Sequence, residues 1–120
     1  MAQRGRMPDT AHRNEILVVG RVTSTATQRE LPSGDVIQTV RVTVDRADED
    51  GFDVVSCTAW TARLQKTVES WARGDVVEVA GALRSRYWRA PTGALGSACD
   101  VEVRKAKRLA AAITRPRKPE

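Results

Sequence analysis

Aromatic side chains are scarce in this chain: three Trp, one Tyr and one Phe among 120 residues. Recognition through rings must therefore rest on a handful of positions and lean on charge. Histidine is scarcer still, with His12 alone. There is no phosphate-cradling Gly-rich loop, no HExxH helix and no nucleophile elbow, and the scattered acids form no acid/base pair. These absences argue for a binder rather than an enzyme, and nothing in the chain calls for a metal or a cofactor. The two cysteines, Cys57 and Cys99, lie far apart and form no CxxC pair, which excludes a zinc ribbon and a disulfide framework. Both fall at apolar-parity positions and read as buried, inert thiols. No run approaches the roughly 20 apolar residues of a membrane span. The first 14 residues hold three Arg and no apolar run, unlike a signal peptide. The expectation is one cytoplasmic domain with no membrane partner.

Charge is unevenly placed. The net charge is +5, yet residues 1–14 and 104–120 together carry +8, which leaves 15–103 at −3. Bulk basicity therefore says little about the folded body. What counts is where the central arginines sit.

Residues 1–13 lack periodicity and read as an extension, and 109–120 read as a basic tail. Between them, Ile16 to Val22 is an apolar, β-branched run with apolar residues on both parities. A strand of that kind is covered on both faces or used in an interface. Leu31-Pro32-Ser33-Gly34-Asp35 is a turn. From Val36 to Asp45, Val36, Val40, Val42 and Val44 alternate with Thr39, Arg41 and Thr43, the pattern of a half-buried strand. The acidic stretch Asp45 to Gly51 lacks the spacing of a calcium loop and reads as a hairpin tip, with Phe52 beside it open to either a surface or a packing role. A third strand over 53–60 sets Val55, Cys57 and Ala59 against Val54, Ser56, Thr58 and Trp60. Thr61 caps a helix expected over 62–73, where Leu64, Val68 and Trp71 share one face and Gly74 ends it. Trp71 is thus a core residue, while Arg63 and Lys66 lie on the solvated side. A fourth strand covers 75–89. A loop over 90–96 leads to a fifth strand, with Cys99, Val101 and Val103 inward and Asp100 and Glu102 outward. Three strands, one helix and two strands exclude a parallel α/β sheet. They match an all-β, five-stranded OB barrel with its helix between strands three and four.

The fourth strand carries the functional signal. Val77, Val79, Leu83 and Tyr87 share one parity, which makes Tyr87 a core or hairpin-packing residue. Arg84, Arg86 and Trp88 share the other with Glu78. Guanidinium groups suit phosphates and an exposed indole suits a stacked base. Two arginines and a tryptophan on one face point to single-stranded nucleic acid.

At these residues the chain resembles the bacterial single-stranded DNA-binding protein family. Asn14-Glu15-Ile16-Leu17-Val18-Val19-Gly20-Arg21-Val22 is similar to that family's first strand. Arg29-Glu30-Leu31-Pro32-Ser33-Gly34 is similar to its first hairpin, and Trp60 falls where it places an aromatic before the helix. The stretch from Gly74 to Trp88 is similar to its fourth strand. The likeness covers roughly 14–108. It implies a homotetramer that wraps single-stranded DNA in replication, repair or recombination. It implies stacking on Trp60 and Trp88, and phosphate contacts from Arg84, Arg86 and Arg89, with Arg21, Arg29 and Arg41 as further contacts. Two features depart from the family. Val54 stands where a binding aromatic is common, which shifts the expected balance toward electrostatics. The chain ends at Arg117-Lys118-Pro119-Glu120 rather than in an acidic, Phe-ending tip, so recruitment of replication or repair proteins through such a tip is not expected. The basic tail is instead expected to attract the phosphate backbone. The rival classes are a primosomal relative, an RNA-binding OB domain and a protein–protein adaptor.

Overall fold

The computed structural model describes residues 11–112. The basic tail beyond residue 112 and the first ten residues of the expected N-terminal extension lie outside the described residues. The elements follow in the order β1 Ile16–Glu30, β2 Val36–Asp45, β3 Phe52–Ala59, α1 Ala62–Glu69, β4 Val76–Arg89 and β5 Leu95–Ala110. The strands close a barrel in the order β1-β2-β3-β5-β4, the five-stranded OB architecture. Full closure leaves no open sheet edge within the barrel.

β1 is long because it serves two partners. Its first half pairs antiparallel with β4, from Ile16 opposite Gly81 to Arg21 opposite Val76. Its second half pairs with β2, from Arg21 opposite Thr43 to Glu30 opposite Val36, with register shifts between Val22 and Ser24 and between Ser24 and Thr27. Those bulges bend the strand around the barrel. They also break its alternation, so the polar stretch beyond Val22 carries no strand signature in the sequence. Gly20 and Gly81 allow close backbone crossings. A Cβ at Gly81 would strike the carbonyl oxygen of Glu102, and one at Gly20 would strike that of Thr43.

Valine fills the interior. Val22, Val40, Val42, Val77, Val79, Val101 and Val103 are buried with Cys57, Ala59, Val68 and Trp71. Each fully buried valine contributes about 1.5–3 kcal/mol of hydrophobic stabilisation. Helix α1 begins at Thr61, whose hydroxyl accepts from the backbone N–H of Leu64 at 3.2 Å. The helix ends at Glu69, short of the expected residue 73. Ser70 caps it: its N–H reaches the carbonyls of both Lys66 and Thr67, and Trp71 N–H bonds Val68. The chain then tightens and turns through Gly74 at φ 92, yet Trp71 is buried as expected. Asp75 fixes this turn. Its carboxylate accepts the N–H of Ala72 and, across the fold, that of Ala112, both at 2.8 Å.

Two further expectations are corrected. Tyr87, read as core or hairpin packing, is 76% exposed. Cys99, read as buried, is exposed, whereas Cys57 is buried. One cause explains both. β4 and β5 stay paired out to Arg89 opposite Leu95, but interior cover stops near Val101. Tyr87 and Cys99 have core parity on a ribbon with no core beneath it.

Candidate nucleic-acid interface

Antiparallel pairing places Thr39 opposite Thr58 and Arg41 opposite Ser56, so strand parity puts all four on the outer face of the barrel. The β4–β5 hairpin borders them with Arg86 and Asp100, and the end of β1 borders them with Arg29. The result is a groove of about 320 Å³ lined by Arg29, Ile37, Thr39, Arg41, Ser56, Thr58, Arg86 and Ala98–Asp100. A second concavity of about 370 Å³ shares Arg29, Thr39, Arg41 and Ser56 and extends the trough to Ser24 and Thr27. Three guanidinium groups thus converge on one trough whose other lining is hydroxyl-rich.

The cations in this trough are not equivalent. Arg29 and Arg41 make no salt bridge among the described residues. Arg86 donates from Nε and Nη2 to the two carboxylate oxygens of Asp100, at 3.3 and 3.2 Å. Asp100 is anchored from the other side by the hydroxyl of Thr58, which donates to Oδ2.

Neither aromatic candidate lines the trough itself, but each stands two residues beyond a side chain that does, Trp60 after Thr58 and Trp88 after Arg86. Trp88 follows Arg86 by two residues and is 51% exposed. Its indole lies flat on its cross-strand partner Gly96: a Cβ there would fall 2.6 Å from ring atoms Cζ2 and Nε1. Glycine therefore seats the ring, and one indole face is left for a planar ligand. Trp60, the first residue past β3, is exposed, at 36%.

The remaining candidates stand apart. Arg84 donates Nε to Glu102 at 3.0 Å and faces a separate cleft with His12, Arg13, Asn14, Glu15, Ala82 and Arg104. Arg89 donates Nη1 to the Gly93 carbonyl at 3.0 Å, at the hairpin tip. Arg21 grips Asp45 with two bonds, at 3.1 and 3.2 Å. That contact holds the Asp45 carboxyl below its ordinary range and raises the Arg21 guanidinium, through the hydrogen bonds first and the opposite charge second. The eight residues therefore divide: Arg29, Arg41 and Arg86 line the trough, Trp60 and Trp88 follow its lining residues Thr58 and Arg86 by two positions, and Arg84, Arg89 and Arg21 lie outside its lining. Sequence reasoning left the hydroxyls of Thr39, Ser56 and Thr58 without a role, although parity had placed them outward. It also left Tyr87 out.

Burial pushes the Cys57 thiol up to about 12, with the nearby Asp100 charge adding to the effect. This thiol is a packing group. Among the described residues no cluster of three His, Cys, Asp or Glu side chains offers a metal site, and no helix is long and apolar enough to cross a membrane.

Comparison with known proteins agrees with this architecture. Residues 13–109 match the profile of the Single-strand binding protein family. The chain is 26% identical over 85 residues to a single-stranded DNA-binding protein of Bacillus cereus, covering 67% of this chain and 50% of that protein. The figures for single-stranded DNA-binding protein B of Bacillus subtilis are 26% over 85 residues, 67% and 75%. The match thus spans about half the length of the Bacillus cereus relative. Among solved structures, the fold is similar to that of a Plasmodium falciparum SSB in complex with ssDNA, with a TM-score of 0.67 at 17% identity over 81% of this chain and 93% of that one. A mitochondrial single-stranded DNA binding protein of S. cerevisiae gives 0.65 at 14%, over 82% and 96%. With 97 consecutive residues matched to the family profile on a closed five-stranded barrel, the chain belongs to the Single-strand binding protein family.

Proposed function

We propose that this chain binds and protects single-stranded DNA without sequence preference, in replication, repair or recombination. The observation that carries the proposal is the trough, in which Arg29, Arg41 and Arg86 line one concavity, with the exposed Trp60 and Trp88 two residues beyond its lining residues Thr58 and Arg86. Arg29 and Arg41, without acidic partners among the described residues, draw in a phosphate backbone, and exposed indoles stack on any base. Neither contact reads a base edge, which supports sequence tolerance. Family membership supports the same ligand. Arg84, Arg89 and Arg21 serve as outlying phosphate contacts, each after exchanging its present partner for phosphate. Binding needs no catalytic step and no cofactor, and its site of action is the cytoplasmic nucleoid.

The assembly we propose is a homotetramer. Leu17 is 67% exposed and Val19 44% exposed on the outer face of β1. An apolar pair on a strand that runs the length of the barrel invites burial against a second copy.

Competition tests the ligand class. Labelled oligo-dT is titrated with protein, then challenged with unlabelled dT, RNA of the same length and duplex DNA. Displacement by single-stranded DNA ahead of RNA and duplex is expected. Preferential displacement by RNA would reassign the site to RNA, and no binding would leave the adaptor class.

A further inference from the structure

Asp100 is the unexplained residue of the trough. A carboxylate among groups that bind phosphate opposes the ligand, and this one is built in. Its side chain is 11% exposed against 40% for Arg86. Thr58 holds one oxygen from β3 while Arg86 takes both from β4. The same arrangement recurs one step along the hairpin, where Glu102 on β5 holds Arg84 on β4. In both pairs an acid on β5 neutralises an arginine on β4, while Arg29 and Arg41 across the trough have no such partner among the described residues.

We infer that Asp100 is an internal counter-charge that limits how tightly the trough holds a single strand. The inference rests on the proposed single-strand binding. Asp100 occupies Nε and Nη2 of Arg86 and cancels its charge, so an incoming phosphate meets two effective cations rather than three. The retained carboxylate also holds the Arg86 guanidinium in place through two hydrogen bonds. The strand is then gripped firmly by the β1–β2 side and loosely by the hairpin side, which favours stepwise release from the hairpin. A protein that must cover single strands and then yield them gains from such an asymmetry.

The magnitude follows from counterion release. Each phosphate neutralised on a single strand changes log K by about 0.7 per decade of salt. Freeing Arg86 for one further phosphate therefore tightens binding about eight-fold near 50 mM salt and about three-fold near 200 mM. Asp100→Asn keeps the shape and the hydrogen bond to Thr58 while removing the charge. The experiment measures oligo-dT affinity of the wild type, Asp100→Asn and Asp100→Asn/Arg86→Ala across salt, with thermal melting to confirm folding. Asp100→Ser serves as a second charge-removing variant should the first not fold. The expected result is tighter binding on charge removal, a salt slope steeper by about 0.7, and loss of both gains when Arg86 is also removed. Equal or weaker binding by a folded charge-removed variant would overturn the inference while single-strand binding by the wild type stands. A wild type that does not bind oligo-dT at any salt would instead remove the reading on which the inference rests, and the inference with it.

Discussion

Replacing Trp88 separates stacking from structure. The indole is half exposed, outside the valine core, and supported mainly by Gly96. Its loss creates no core cavity, so Trp88→Ala is expected to melt close to the wild type. With one face resting on Gly96, the ring offers the other to a single base. One base–aromatic stack is worth about 1–3 kcal/mol, a five- to 150-fold loss in affinity for oligo-dT. Gly96→Ala is the companion test. Its backbone conformation suits any residue, but its Cβ would displace the indole. This variant should shift the tryptophan emission and weaken binding by part of the Trp88→Ala effect. Fluorescence anisotropy with a labelled oligo-dT reads affinity, and intrinsic quenching reads ring contact. A folded Trp88→Ala variant with unchanged affinity would refute the assignment of this ring to a base.

Four further outcomes follow. Arg29→Ala and Arg41→Ala should each flatten the log–log salt dependence of oligo-dT binding by about 0.7, whereas an unchanged slope would remove that arginine from the phosphate path. Leu17→Glu should lower the assembly state in sedimentation, while a wild type already monomeric at micromolar concentration would contradict the proposed tetramer. A thiol reagent at neutral pH should titrate exposed Cys99 quickly and reach buried Cys57, its thiol pushed up to about 12, only on unfolding; two fast thiols would contradict the burial. Asp75 is held below its ordinary carboxylate range by the Ala72 and Ala112 N–H groups, with Arg108 assisting. A depressed folded value means its stabilisation is full above the unfolded carboxyl range and is lost as pH falls through the folded value. Asp75→Asn should therefore melt below the wild type at neutral pH, with the gap narrowing in acid; a gap independent of pH would reject this role.

Alternation made much of the barrel legible. Val40 and Val42 against Thr39 and Arg41, and Cys57 and Ala59 against Ser56 and Thr58, told inside from outside because β2 and β3 pair with each other in an unbroken register. The same logic misplaced Tyr87 and Cys99. Parity reports which side a residue faces, not whether anything covers that side, and cover depends on how far a hairpin outruns its barrel. The helix end was misjudged because Trp71 keeps helical spacing while its backbone has already turned toward Gly74. Of the site, the arginines and indoles were legible as types of residue. Their partners were not. That Asp100 holds Arg86 and Glu102 holds Arg84 depends on the pairing of β4 with β5 across a 14-residue register. No local pattern encodes that register.

On the proposed function, a single strand lies in the trough between Arg29, Arg41 and Arg86. Photocrosslinking tests it most directly. Oligo-dT carrying 5-iodouracil at successive positions is bound, irradiated and digested, and the adducts are mapped by mass spectrometry. Adducts are expected at Trp88 and Trp60 and in peptides of β2 and β3 that line the trough. Adducts confined to the opposite face, around Leu17, Lys105 and Lys107, would contradict it.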